Sequence, residues 1–197
     1  MSRQDSMLDL LARLSALRSL EDELPDESTA IGRATHEFFA NNWQQARDGL
    51  LAQTTKLRVQ PQPSPAPRIF HFEAECTFKR KREPDALVEL ADGPLRGTIR
   101  YRPDLYTAPA SEPSLTVFMD PAQRLFHPNF SRRHGVLCVG DLPPGPFPLE
   151  DLLEHLYGIL TYQNRSTSDP ADIEAAEYFA RDPDAMTGLE TVEPLYP

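Results

Sequence analysis

The chain predicts an α+β fold, a four-stranded antiparallel meander packed on helices, with an additional helical extension at its N-terminus. Three observations carry this expectation. Phe70, Phe72, Ala74, Cys76 and Phe78 alternate with His71, Glu73, Glu75, Thr77 and Lys79, the period-2 pattern of a half-buried strand. Further β-type runs follow in sequence order, and apolar stripes at helical spacing lie on either side of the strand region. The length, 197 residues with 40% hydrophobic and 25% charged side chains, suits one globular domain plus an extension.

From the candidate N-cap Ser6, the residues Met7, Leu10, Leu11, Leu14, Leu17 and Leu20 recur at helical spacing and predict an amphipathic helix. Its leucine stripe reads first as a packing face, with a partner surface as the alternative. Residues 21–27, including Pro25, break it, and a second helix is expected over 28–57 through Phe38, Phe39, Trp43, Ala46, Leu50 and Leu51. Pro61, Pro63, Pro65 and Pro67 are incompatible with a helix interior or a central strand and mark 61–68 as an extended connector. After the strand at 70–79, the basic run Lys79-Arg80-Lys81-Arg82 reads as a solvated hairpin end. Residues 86–90 and 95–101 give two more strands with Asp92-Gly93 as the turn between them, and 115–119 gives the fourth. A helix over 149–162 carries Leu152, Leu153, Leu156, Ile159 and Leu160 as a core stripe, with His155 at its surface or boundary. Asp169-Pro170 then opens a last helix with Ile173, Ala176 and Phe179 turned inward. The expected organisation is an N-terminal extension (1–27), a main domain (28–186) and a C-terminal tail (187–197).

Composition excludes several function classes. A net charge of −10 argues against a general nucleic-acid binder, which needs a basic face. Much of the acidity is local: Asp169, Asp172, Glu174, Glu177, Asp182, Asp184, Glu190 and Glu193 face only Arg181, which reads foremost as a solvated acidic end. No run reaches the ~18 apolar residues of a membrane span, and the N-terminus lacks the basic-then-apolar form of a signal peptide. A cytoplasmic location is expected. The two cysteines cannot build a disulfide framework, and no CxxC or HExxH spacing suggests a metal.

The stretch 126–138, FHPNFSRRHGVLC, carries the chemistry. His127-Pro128-Asn129 is a rigid turn, because proline fixes its own φ and biases the residue before it towards extended geometry. Nine residues beyond Asn129, behind Gly135 and the short run Val136-Leu137, comes Cys138, and a proline-rich loop follows over 141–148. A thiol on such loop backbone is accessible to a large partner. A cysteine hydrolase needs a base beside the thiol, for which His127 and His134 are the candidates, but the local context is unlike a protease's. Cys76, on the apolar face of its strand, reads as a small buried hydrophobe.

His127-Pro128-Asn129, then Gly135-Val136-Leu137-Cys138, then a proline-rich loop ending in Phe147-Pro148 ahead of a helix, resembles the ubiquitin-conjugating enzymes. The likeness extends upstream to Tyr101-Arg102-Pro103-Asp104-Leu105-Tyr106 and downstream to Asp169-Pro170, covering roughly 69–186. It implies that Cys138 accepts the C-terminus of a ubiquitin-like protein as a thioester from an activating, adenylating enzyme and passes it to a lysine of a protein target. No cofactor is implied for this chain, ATP being used by the activating partner. Thiol-for-thiol exchange is nearly balanced and needs no dedicated base at the acceptor. By the same resemblance Asn129 either donates to the oxyanion formed when an amine attacks or holds the loop beside the cysteine. Asp169 matches the acid that orients the amine, with an ordinary helix N-cap as its alternative. His127 and Pro128 are expected to support the turn. Val139-Gly140-Asp141 after the cysteine, and Phe147 where the family usually carries tryptophan, depart from its common pattern. They look more like the prokaryotic branch, some of whose members serve antiviral defence. A catalytically silent binder of a ubiquitin-like protein is the alternative function, and a scaffold acting through the N-terminal helices is a further one.

Overall fold

The structure, a computed structural model, describes residues 24–140, 142–143, 145–165, 169–182, 184–189 and 195. The leucine-stripe helix expected over 6–20 lies outside them. The described residues form an α+β unit in which helices pack on one face of an antiparallel sheet.

The first helix, α1 (Ala30–Asp48), begins where Thr29 caps it, its hydroxyl oxygen accepting from the Gly32 N–H at 2.9 Å. Phe39, Asn42 and Ala46 recur along its buried face. The expected single helix over 28–57 is broken at Gly49, whose backbone (φ −89°, ψ −104°) leaves the helical region, and the one-turn α2 (Leu50–Gln53) follows. The break is satisfied from elsewhere in the fold: Glu150 accepts the Leu50 N–H at 2.9 Å.

The sheet has six strands rather than four, in the order β1-β2-β3-β4-β6-β5, with every neighbouring pair antiparallel. The residues 57–61, expected as the end of a helix and the start of the proline connector, form the edge strand β1 (Leu57–Pro61), paired with β2 (Ile69–Arg80) from Leu57 opposite Ala74 to Pro61 opposite Phe70. A proline is tolerated there because it sits at the end of an edge strand. The two strands expected over 86–101 are one, β3 (Glu89–Tyr101), paired with β2 from Glu89 opposite Arg80 to Arg100 opposite Ile69. Asp92-Gly93 is therefore not a turn. Thr77 donates to the Asp92 carboxylate across the strands at 2.6 Å, and Gly93 supplies a φ of +127° that lets the strand continue. The hairpin end lies instead at 81–88, next to the basic run, where Arg80 and Arg82 both reach Glu89. Strand β4 (Leu115–Met119) lies where expected. The last two strands are the pairs β5 (Phe130–Ser131) and β6 (Val136–Leu137), too short for any periodicity to announce.

Between sheet and helices lies a core of Phe39, Phe70, Leu95, Ile99, Tyr101, Val117, Leu137 and the leucines of α3 (Leu149–Leu160), all essentially inaccessible to solvent. The rings of Phe39 and Phe70 pack edge-on to Tyr101 at 5.8 and 6.1 Å between centroids. Pro148 offers no side-chain cap to α3, and Asn42 of α1 does so instead, its Oδ1 accepting the Leu149 N–H at 2.6 Å. The last helix, α4 (Ile173–Arg181), starts later than expected. Asp172, not Asp169, is its N-cap, accepting from the Ala175 N–H at 3.1 Å. With that start Ala175 and Ala176 are buried, whereas Ile173, expected inward, is 69% exposed. No helix among the described residues is long and apolar enough to cross a membrane.

Candidate active site around Cys138

Phe126 fixes the entry to the turn. Its N–H donates to the Lys79 carbonyl of β2 at 2.9 Å, and its own carbonyl accepts the Tyr162 hydroxyl at 2.8 Å. Tyr162 reaches this point from just past α3 through a left-handed backbone (φ 62°), and its oxygen also accepts the Lys79 N–H at 3.0 Å. It is fully buried, with its ring 4.4 Å from that of His127. Phe126 packs against Tyr178 and Phe179 of α4, and Arg132 and Lys81 lie over its ring.

The turn itself is closed by its own polar groups. The Asn129 N–H donates to His127 Nδ1 at 3.0 Å, and the Phe130 N–H to the His127 carbonyl at 3.0 Å. Since Nδ1 accepts, the ring proton sits on Nε2, which is buried beside the Ile159 backbone without a hydrogen bond of ordinary length. Burial pushes the His127 pKa down to about 3; the neighbouring Ile159 backbone opposes this and the charge of Arg165 reinforces it. The imidazole is therefore neutral at ordinary pH. The Pro128 carbonyl accepts the Asp172 N–H at 3.0 Å, which joins the turn to the start of α4.

From this shelf the chain crosses β5, turns at 131–135 and returns through β6 to Cys138. Gly135 allows the turn with a φ of +67°. Leu137 pairs with Val117 on one side and Phe130 on the other, so β6 is held between β4 and β5. The Cys138 N–H donates to the Asn129 carbonyl at 2.7 Å, and the Asn129 side-chain amide donates to the Cys138 carbonyl at 3.1 Å. The backbone of the cysteine is thus held by both the main chain and the side chain of one asparagine, itself only 5% exposed, while Cys138 is exposed. One residue on, the Val139 carbonyl accepts from His155 Nε2 of α3 at 2.7 Å.

Electrostatically, the 131–135 turn is clasped to α4 by Arg132, which bonds Asp172 at 2.5 Å and Glu174 at 2.6 Å. Lys81 also pairs with Glu174. These two cations hold the Glu174 carboxyl below its usual range, Lys81 contributing most. His134 is shifted downward by desolvation and then by Arg133. Among the described residues no group of three or more His, Cys, Asp or Glu is arranged to hold a metal ion.

The structure therefore joins His127, Asn129 and Cys138 through successive hydrogen bonds, while Pro128 ties the same turn to Asp172. Asp169 is exposed and stands three residues ahead of Asp172, the residue tied to Pro128. Cys76 is partly buried where it packs against the core, and burial pushes its thiol pKa up to about 12. Four residues that hold the site are not assigned to it by the sequence: Tyr162, Arg132, Asp172, which reads as part of the acidic end, and His155, which reads as a surface or boundary residue of its helix. Only His155 left a signal, being a polar residue inside the stripe Leu152, Leu156, Ile159 at the i+3 position of Leu152. No protein-family model matches the chain, and a search of curated proteins finds no match to it.

Proposed function

We propose that this protein is a ubiquitin-conjugating-enzyme-like acyl carrier and transferase of the divergent, prokaryotic kind. The α+β meander, with the turn at 127–129 and the cysteine following its last strand, supports the fold of that family for this chain. The observation that carries the reading is an exposed thiol on backbone clamped to Asn129 by two hydrogen bonds. Such a thiol meets a macromolecular thioester without an induced opening of the site.

In the proposed reaction the Cys138 thiolate attacks the carbonyl carbon of a ubiquitin-like C-terminus carried as a thioester by an activating enzyme. A new C–S bond forms and the partner's thiolate leaves. A lysine amine of the target then attacks the same carbon, the C–N bond forms, the Cys138 thiolate departs and the ammonium proton is lost to solvent or a nearby carboxylate. Asp169 is the carboxylate assigned to orient that amine. For Asn129, the bond to the Cys138 carbonyl supports the loop-holding role over oxyanion donation. Neutral His127, its Nδ1 already accepting from Asn129, suits a scaffold and not a base, which disfavours hydrolysis through this residue. A cytoplasmic, reducing location and a part in a conjugation system of the antiviral type complete the proposal.

The test is loading by a charged activating enzyme. Non-reducing electrophoresis is expected to reveal an adduct on the wild type that thiol treatment removes and that Cys138→Ala lacks; an adduct that persists in Cys138→Ala overturns the assignment.

A further inference from the structure

The segment that carries Cys138 lies between two left-handed glycines, Gly135 (φ 67°) and Gly140 (φ 79°). Both are positions where the chain bends easily and where a side chain is strained. On the N-terminal side of the cysteine, β6 is fixed by its pairing to β4 and β5. Downstream the situation differs. Among the described residues of 139–146, the hydrogen bond from His155 to the Val139 carbonyl is the one polar tie to the rest of the fold; the next comes at Phe147, whose carbonyl accepts the Tyr101 hydroxyl at 2.9 Å.

We propose that His155 is a positioning residue for acyl transfer: from α3 it fixes the Val139 carbonyl while Asn129 fixes the Cys138 carbonyl, so that two successive peptide units hold the thioester in one orientation. The inference rests on the carrier reading of Cys138. His155 is half-buried on a helix whose adjoining Leu152, Leu153 and Leu156 are inaccessible to solvent, so its ring starts from a rigid base. At 2.7 Å the bond is at the short end of the N–H···O range. Donation to a carbonyl requires a proton on Nε2, present in one neutral tautomer and in the cation alike. Accepting an acyl group from another thiol demands little beyond an exposed sulfur. Attack by an amine demands a carbonyl held at a fixed angle, and a misplacement of about 1 Å at a reacting centre lowers rates by up to 100-fold. The effect of losing His155 therefore falls on discharge and not on loading.

The experiment uses the full chain and a glycine-terminated peptide arylthioester as acyl donor, which loads Cys138 by thiol exchange with release of the aryl thiolate; free lysine then receives the peptide. Loading, lysine-dependent discharge and amide hydrogen exchange are compared in wild type, His155→Phe and His155→Gln. Phenylalanine fills the space without donating, whereas the glutamine amide restores a donor. Expected for His155→Phe are discharge roughly five to twenty times slower, loading within about twofold, and exchange over 137–140 about ten times faster, with α3 itself unchanged. His155→Gln is expected to recover most of both effects. Discharge and loop exchange equal to wild type in His155→Phe overturn the inference, as does faster exchange along all of α3 in both variants, which marks loss of the helix. A wild type that takes up no acyl group contradicts the carrier reading instead, and loop exchange then decides alone whether His155 fixes the segment.

Discussion

Burying His127 neutral gives the folded protein a pH signature. Its pKa is about 3 in the fold and near 6.5 when exposed, so between these values the unfolded chain binds a proton that the folded one refuses. Stability is unaffected above the unfolded value and falls as the pH drops from 6.5 towards 3, by up to about 1.4 kcal/mol per pH unit. Carboxylates that titrate over the same range act in wild type and variant alike. Urea unfolding of wild type and His127→Gln between pH 7 and 4.5 isolates the histidine: the variant is expected to lose less stability on acidification, and parallel slopes contradict the assignment. The two thiols provide a second residue-scale contrast. Cys138 is exposed, whereas burial raises the Cys76 pKa to about 12, so a maleimide at neutral pH is expected to add once to the folded protein and twice to the unfolded one. Two rapid additions to the folded chain would place Cys76 at an accessible surface.

At the scale of elements, the turn at 127–129 is held from three directions: β2 through Phe126, the end of α3 through Tyr162, and α4 through Asp172. Asp172 has two roles, capping α4 and pairing with Arg132. Asp172→Ala removes the cap, worth about 1 kcal/mol, and leaves Arg132 with Glu174 alone, so a total loss of about 2 kcal/mol is expected by urea unfolding. Asn42→Leu strips the buried N–H of Leu149 of its acceptor and is expected to destabilise by about 1–3 kcal/mol; no change in the unfolding midpoint would mean that α3 is capped differently. These contacts explain what the sequence could and could not disclose. Strand β2 and helix α3 are legible because each carries an apolar residue pattern at its own period, Phe70, Phe72 and Ala74 in β2 and Leu152, Leu153, Leu156 and Ile159 in α3, all of which are buried. Strand β1 was hidden by the prolines after it, and β5 and β6 are two residues each. Asp92-Gly93 has the chemistry of a turn, and pairing of these residues with Thr77 and Cys76 of the neighbouring strand, joined by the Thr77 hydroxyl, makes it an interior pair. The start of α4 expected at Asp169-Pro170 is too early because Asp before Pro is an ordinary cap in sequence, whereas a contact between the Asp172 N–H and the Pro128 carbonyl accompanies the observed start.

At the scale of the described fold, the sheet and the helices packed on it bring residues from 126 to 172 to bear on the backbone of the segment that ends in Cys138. Local sequence signalled Cys138 and Asn129, a rigid turn followed by a cysteine behind glycine, because both lie on one short stretch. Other clamps on and beside that stretch are distant in sequence, as His155 lies 16 residues beyond Val139 and Asp172 lies 40 beyond Arg132, and only the fold unites them. The claim on which the rest depends is that Cys138 carries an acyl group. Intact mass after incubation with ATP, an activating enzyme and a ubiquitin-like protein, comparing wild type with Cys138→Ser, tests it most directly. The account predicts one modifier on the wild type that is lost on thiol treatment, and in the serine variant either a thiol-resistant ester or no adduct. A wild type that stays unmodified while the activating enzyme is demonstrably charged with the same modifier, or a serine variant that still gains a thiol-sensitive adduct, would contradict it.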